Sequence, residues 1–164
     1  MSNKLEITID VIVHATEDMT KIFQPFNEIF DIEEEIFNKT ETTGYFENPI
    51  IMVNTKLVKK QAKAFMKKFL DLLSINQISQ LMEEIEERTE DSKFHLRLDK
   101  QELVQGKLVL SQKDTVKIKI HTPVYNKKNT REVFSELFQS HLKLTIQKLL
   151  IAKIKKAIIK RINV

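Results

Sequence analysis

The sequence predicts an α+β protein, with an antiparallel or mixed sheet, helices packed on one face and a long C-terminal helix. Three observations carry this expectation. Leu5, Ile7, Ile9, Val11 and Val13 alternate with Glu6, Thr8 and Asp10, and the same period of two returns over Phe94–Leu98 and Val116–Ile120. Stretches with apolar residues at helical spacing lie between these runs. The strands that are adjacent in sequence have short links, which suits antiparallel pairing better than alternating parallel units. A chain of 164 residues that is 41% apolar supports one sizeable core, and two glycines and three prolines leave little room for linkers. We place a compact domain over residues 1–138 and a basic helical extension over 139–164.

The first strand runs into Thr16, a suitable helix N-cap, with Glu17 and Asp18 facing the positive end of the helix. Ile22, Phe23, Phe26, Ile29 and Phe30 give that helix its buried stripe, and Pro25 predicts that it is bent or short. Residues 31–43 mix helix and strand signals and are read as an exposed strand ending at Gly44. Ile50 to Val53 reads as a short buried strand after Pro49.

Lys56 to Leu73 reads as a helix with clean sidedness. Lys56, Lys59, Lys60, Lys63 and Lys67 share about a third of its circumference, opposite Ala62, Phe65, Met66, Phe69, Leu72 and Leu73. Ser74 and Gln77 form a capping box for the next helix, with Glu83, Glu84, Glu86 and Glu87 on its wet side. Asp99 and Glu102 form a second, and Gly106 is the stop. Asn129 and Glu132 open the last helix.

Charge is distributed unevenly. Residues 1–55 carry 3 basic and 11 acidic side chains; residues 56–68 carry six lysines and no acid. Residues 69–92 are acidic again, and no acid follows Glu136. Such segregation is expected of an anion-binding surface. The absence of cysteine excludes disulfides and thiolate metal sites. No apolar run is long enough to cross a bilayer and Met1–Lys4 is no signal peptide, so a cytoplasmic protein without membrane attachment is expected.

Three strings stand at the junctions of these elements: Val13-His14-Ala15-Thr16-Glu17-Asp18, Gly44-Tyr45-Phe46-Glu47-Asn48-Pro49-Ile50 and Leu96-Arg97-Leu98-Asp99-Lys100-Gln101. With Gly106, Leu108 and Leu110 they resemble an archaeal family of RNA-binding, exosome-associated proteins, over roughly residues 4–138. The resemblance implies a fold similar to that of the large-subunit ribosomal protein that binds 5S ribosomal RNA. It also implies RNA as ligand and exosome components as partners. It brings no catalytic residues, and nothing in it transfers beyond about residue 139.

Two sets of cations are candidates for RNA contact. Lys56, Lys59, Lys60, Lys63 and Lys67 could track a phosphate backbone; otherwise they form a solvated helix face. Lys93, His95, Arg97, Lys117 and Lys119 would make a basic strip if their strands are neighbours, unless cross-strand pairing with Glu6 and Asp10 absorbs them. Aromatic platforms are missing from these strand positions, which favours backbone or shape recognition of structured RNA. Tyr45 and Phe46 could stack on a base, but loop aromatics beside a proline more often fold back on the core.

His14, His95, His121 and His141 lack metal-ligand spacing, and two glycines cannot build a phosphate loop. Neither metal nor cofactor is expected, nor catalysis at His14. The C-terminal helix has three readings: an RNA arm, a membrane-surface helix or a dimer helix. Its apolar stripe of Leu142, Ile146, Leu149, Leu150, Ile154, Ala157 and Ile158 favours packing in a homodimer, with lysines outward. The sequence therefore reads as a non-catalytic RNA-binding protein acting in RNA processing or ribosome-related metabolism. The alternative is a protein-interaction subunit without direct RNA contact.

Overall fold

The computed structural model describes residues 4–122 and 127–163, the side chains of 127–129 excepted. Six strands form one sheet, β1 (Glu6–His14), β2 (Asn38–Thr43), β3 (Pro49–Val58), β4 (Thr89–Glu90), β5 (Lys93–Asp99) and β6 (Thr115–His121). Their order is β2-β3-β1-β6-β5-β4, and every neighbouring pair is antiparallel. The helices are α1 (Met19–Phe30), α2 (Lys59–Leu72), α3 (Ile75–Glu83), α4 (Ile85–Arg88), α5 (Lys100–Val104) and α6 (Lys127–Ile162).

Strand parity decides which face is covered. Ile7, Ile9, Val11 and Val13 of β1, Val53 and Leu57 of β3, Phe94, Leu96 and Leu98 of β5, and Val116, Ile118 and Ile120 of β6 are all buried. They form one core with Ile22, Phe26 and Phe30 of α1, Phe65, Met66 and Phe69 of α2, and Ile78 and Leu81 of α3. Phe30 packs against Phe65 with ring centroids 4.5 Å apart and planes tilted by 33°, tying α1 to α2. Phe134 and Phe138 of α6 lie 5.0 and 5.3 Å from Phe94, which docks the first half of the long helix on β5. The residues of opposite parity are left on an open face.

Local chemistry sets the boundaries, several of which differ from the sequence expectation. Asp18 rather than Thr16 caps α1, accepting from the Thr20 N–H at 3.0 Å. The helix runs through Pro25, which is itself buried; burial of the apolar stripe outweighs the missing N–H. Asp31 ends it in the left-handed region, φ 53°, with its N–H and that of Ile32 bonded to Asn27 and Phe26 carbonyls. A single 3-10 turn, Glu34–Ile36, precedes the wholly exposed β2.

The largest correction concerns β3. It continues past Val53 because Val53, Thr55 and Leu57 keep alternating inward, so Lys56 is a strand residue and not part of a helix face. Lys59, at φ 50°, makes the sharp turn from which α2 starts. The Ser74 capping box is present on both sides, and Asp99 caps α5 through the Glu102 N–H at 2.9 Å. Gly106 closes that helix at φ 78°. The α6 helix already begins at Lys127; the Asn129 cap concerns a side chain outside the described ones.

Candidate nucleic-acid interface

The open face of the sheet carries charge in cross-strand rows. One row runs Lys56, Thr8, Lys119, His95 across β3, β1, β6 and β5. The next runs Asn54, Asp10, Lys117, Arg97, and a third Val58, Glu6, His121, Lys93. The strands carrying Lys93, His95, Arg97, Lys117 and Lys119 are therefore neighbours, and Lys56 joins them because β3 is longer than expected.

Carboxylates offset part of this charge. Lys56 reaches diagonally to Glu6 at 2.8 Å, and its hydrogen bond holds the Glu6 carboxyl below the usual carboxylate range. Lys119 lies 3.6 Å from Asp10, although Lys117 is the residue in register with it. Arg97 donates to the Gln112 side chain at 3.2 Å, a neutral partner that leaves its charge available. Among the described residues no ion pair engages Lys93 or Lys117. Of the strip, Lys119 alone among the described residues pairs with a β1 carboxylate, Asp10; Glu6 pairs with Lys56 instead.

His95 sits in the middle of these cations. Burial lowers its pKa below the ordinary imidazole value; Glu90, 3.8 Å away, opposes this, while Lys119, Lys93 and Arg97 add to it. Its Nε2 makes no hydrogen bond. Beside it, Asp10, Ile12, Met52, Asn54, Thr115, Lys117 and Lys119 line a shallow depression of about 270 Å³. Ile12 and Met52 give it an apolar wall, and Lys117, Lys119 and Asp10 stand around it.

The α2 lysines lie elsewhere. Ala62, Phe65, Met66 and Phe69 turn toward the core, so Lys59, Lys60 and Lys67 are exposed on the helical side of the molecule and Lys63 is half-buried. The sheet separates them from Lys56, Arg97, Lys117 and Lys119. The two sets do not converge on one face. Lys59, Lys60 and Lys63 stand near the helix N-terminus, where the macrodipole is already positive, an arrangement that favours an incoming anion.

The junction strings are explained by a third cluster. The Lys100 ammonium is buried, and it donates to Glu17 Oε2 at 2.9 Å, Asp114 Oδ1 at 2.7 Å and the Ile12 carbonyl at 2.8 Å. Three donors meet three acceptors. Glu17 also accepts the His14 N–H at 2.8 Å and the Gln101 amide at 3.3 Å. The first and third strings therefore meet in space, where Glu17 serves as the partner of a buried lysine. The second string is the β2–β3 turn. There the expectation fails: Tyr45 and Phe46 are exposed and do not fold back on the core. Among the described residues no group of three or more histidine or carboxylate side chains is placed to hold a metal, and no helix is long and apolar enough to cross a membrane.

Fold and face define an antiparallel α+β protein with helices on one side of its sheet and a cationic open face on the other. The family model described as RNA binding matches residues 6–122, and the chain belongs to that family. It is 32% identical over 143 residues to the uncharacterized protein MJ0213 of Methanocaldococcus jannaschii, covering 83% of this chain and 96% of that one. It is 30% identical over 138 residues to the RNA-binding protein PAB1135 of Pyrococcus abyssi, covering 76% and 88%. The crystal structure of protein SSO0741 from Sulfolobus solfataricus is similar at 28% identity, with a TM-score of 0.66 over 82% of this chain and 98% of that one.

Proposed function

We propose that the protein is a non-catalytic RNA-binding protein that grips the backbone of structured RNA with the open face of its sheet. The observation that carries this reading is the pair of neighbouring rows in which Lys119 faces His95 and Lys117 faces Arg97, with Asp10 in ion-pair contact with Lys119, Glu90 3.8 Å from His95, and no ion pair at Lys117 or Arg97 among the described residues. Membership of a family described as RNA binding supports it, as does the likeness to a relative named for RNA binding. The α2 set of Lys59, Lys60, Lys63 and Lys67 offers a second contact to a separate RNA segment on the opposite side. The resemblance of the junction strings adds RNA processing as the setting and exosome components as partners.

The reading includes a homodimer. From Ile146 onward every described side chain of α6 is exposed, among them Leu149, Leu150, Ile154 and Ile158. A helix of 36 residues is about 54 Å long, more than the domain covers. Pairing of two such helices would bury these side chains and leave Lys148, Lys155 and Lys156 outward. The alternative, a protein-interaction subunit without direct RNA contact, would use the same exposed side chains.

Fluorescence anisotropy with a labelled stem-loop RNA over a salt series separates the two. RNA contact gives an affinity that falls linearly in log–log form with salt. No measurable binding at low salt would contradict the proposal.

A further inference from the structure

Nine of the ten phenylalanines are buried; Phe46 is 79% exposed and Tyr45 beside it 95% exposed. Their rings meet edge to face, centroids 5.1 Å apart and planes at 88°, so each shields little of the other. The turn that displays them is closed by its own hydrogen bonds. The Gly44 N–H donates to the Asn48 carbonyl at 2.8 Å and the Glu47 N–H to the Gly44 carbonyl at 3.0 Å. Glu47 adopts φ 60°, and Pro49 fixes the start of β3. This is a firm stalk with two bare aromatic rings at its tip.

The turn closes the β2–β3 hairpin. From it, Ile50, Met52 and Asn54 lead along β3 toward Lys56, with Thr42 opposite Ile50, Thr40 opposite Met52 and Asn38 opposite Asn54 on β2. On β1 the same rows hold His14, Ile12 and Asp10, and Asp10 is already paired with Lys119. No carboxylate interrupts this path between the tip and the Asn54 row. From Pro49 to Asn54 the strand covers about 17 Å, a span of a few unpaired nucleotides. Glu47, beside the rings, repels phosphate, so the tip suits the uncharged face of a base rather than the backbone. The same carboxylate, with no cation in the turn, disfavours an anionic membrane surface.

We infer that Tyr45 and Phe46 form a stacking site for an unpaired RNA base, at the end of a path whose phosphates lie on Lys117 and Lys119. The inference rests on the RNA-binding reading above and names the part of the RNA that this turn would take. Stacking on protein aromatics is tolerant of sequence, so the site selects for unpaired nucleotides and not for a particular base.

The test uses the full chain and two RNAs: a stem-loop with 2-aminopurine in its loop, and a blunt duplex of the same stem. On binding the wild-type protein, 2-aminopurine fluorescence should be quenched. The double variant Tyr45→Ala/Phe46→Ala should lose the quench and bind the stem-loop at least about tenfold more weakly, with duplex affinity unchanged. Tyr45→Phe, which keeps the ring, should keep both. Neither ring touches the core, and circular dichroism checks that the variant folds. A double variant with wild-type quench and stem-loop affinity overturns the inference while leaving the RNA reading intact; it would leave the tip to a protein partner. A wild-type protein that binds neither RNA overturns both.

Discussion

The Lys100 ammonium lies 2.9 Å from Glu17 Oε2, and the two residues are 83 positions apart in the chain. The contact joins the turn after β1 to the start of α5, and Asp114 adds the turn before β6. The cluster fixes the end of the sheet next to the depression at Ile12 and Thr115. Lys100 also gives the first and third junction strings a structural role, because their residues satisfy a buried charge.

Replacing Lys100 with methionine should therefore be costly. The hydrophobic stem is kept, but Glu17 loses its cation in a half-buried setting. Loss of one partner of a buried ion pair costs about 3–5 kcal/mol. Urea unfolding should show a lower midpoint with an unchanged slope. A midpoint within error of wild type would mean that the pair contributes little net stability.

The exposed half of α6 gives a second expectation. His141 lies 3.9 Å from Asp71 and Leu142 packs against the core, and from Ile146 onward every described side chain is exposed. Truncation after Thr145 should turn a dimer into a monomer and keep the sheet, because Phe134 and Phe138 remain in place. Sedimentation of the two forms reads this directly. Full-length protein that sediments as a monomer at all concentrations would remove α6 as a dimer element.

With RNA on the open face, its affinity should depend on pH through His95. Its pKa in the free protein lies below the ordinary value near 6.5, through burial and then the cations Lys119, Lys93 and Arg97, against the opposing effect of Glu90. A depressed pKa means stability that is present above the ordinary value and lost as pH falls through the folded value. An RNA phosphate nearby reverses the electrostatic part, so binding takes up a proton. Affinity should rise as pH is lowered from 8 to about 6, and His95→Gln should flatten that rise. An unchanged profile in His95→Gln would remove His95 as the source of the effect.

Much of the fold was legible because it is written locally. The alternation of Ile7, Ile9 and Val11 and the Ser74 and Asp99 caps depend on neighbours within a few residues, and all appear in the structure. Lys56 was misplaced because Thr55, a polar residue, occupies an inward position of β3, where its hydroxyl donates to the Ile36 carbonyl at 3.0 Å. That partner belongs to a distant segment. The Lys100 cluster was invisible for the same reason, since a buried lysine looks like any surface lysine until its three acceptors are assembled. The adjacency of Arg97 and Lys117 also followed from β5–β6 pairing, which period two alone leaves open. The display of Tyr45 and Phe46 depends on a turn that extends past the end of β1, which no local pattern encodes.

The separation of the two basic sets by the sheet permits one decisive comparison. Stem-loop RNA affinity is measured by anisotropy across a salt series for three proteins: wild type, Arg97→Gln/Lys117→Gln/Lys119→Gln, and Lys60→Gln/Lys63→Gln/Lys67→Gln. Glutamine keeps helix propensity in α2, so the third protein tests charge alone. The open-face variant should bind more weakly, and its salt slope should flatten by about 2 to 3 units, the loss of three phosphate contacts. The α2 variant should change the slope less. An open-face variant with wild-type affinity and slope, beside an α2 variant with a flattened slope, would contradict the assignment of RNA to the open face of the sheet.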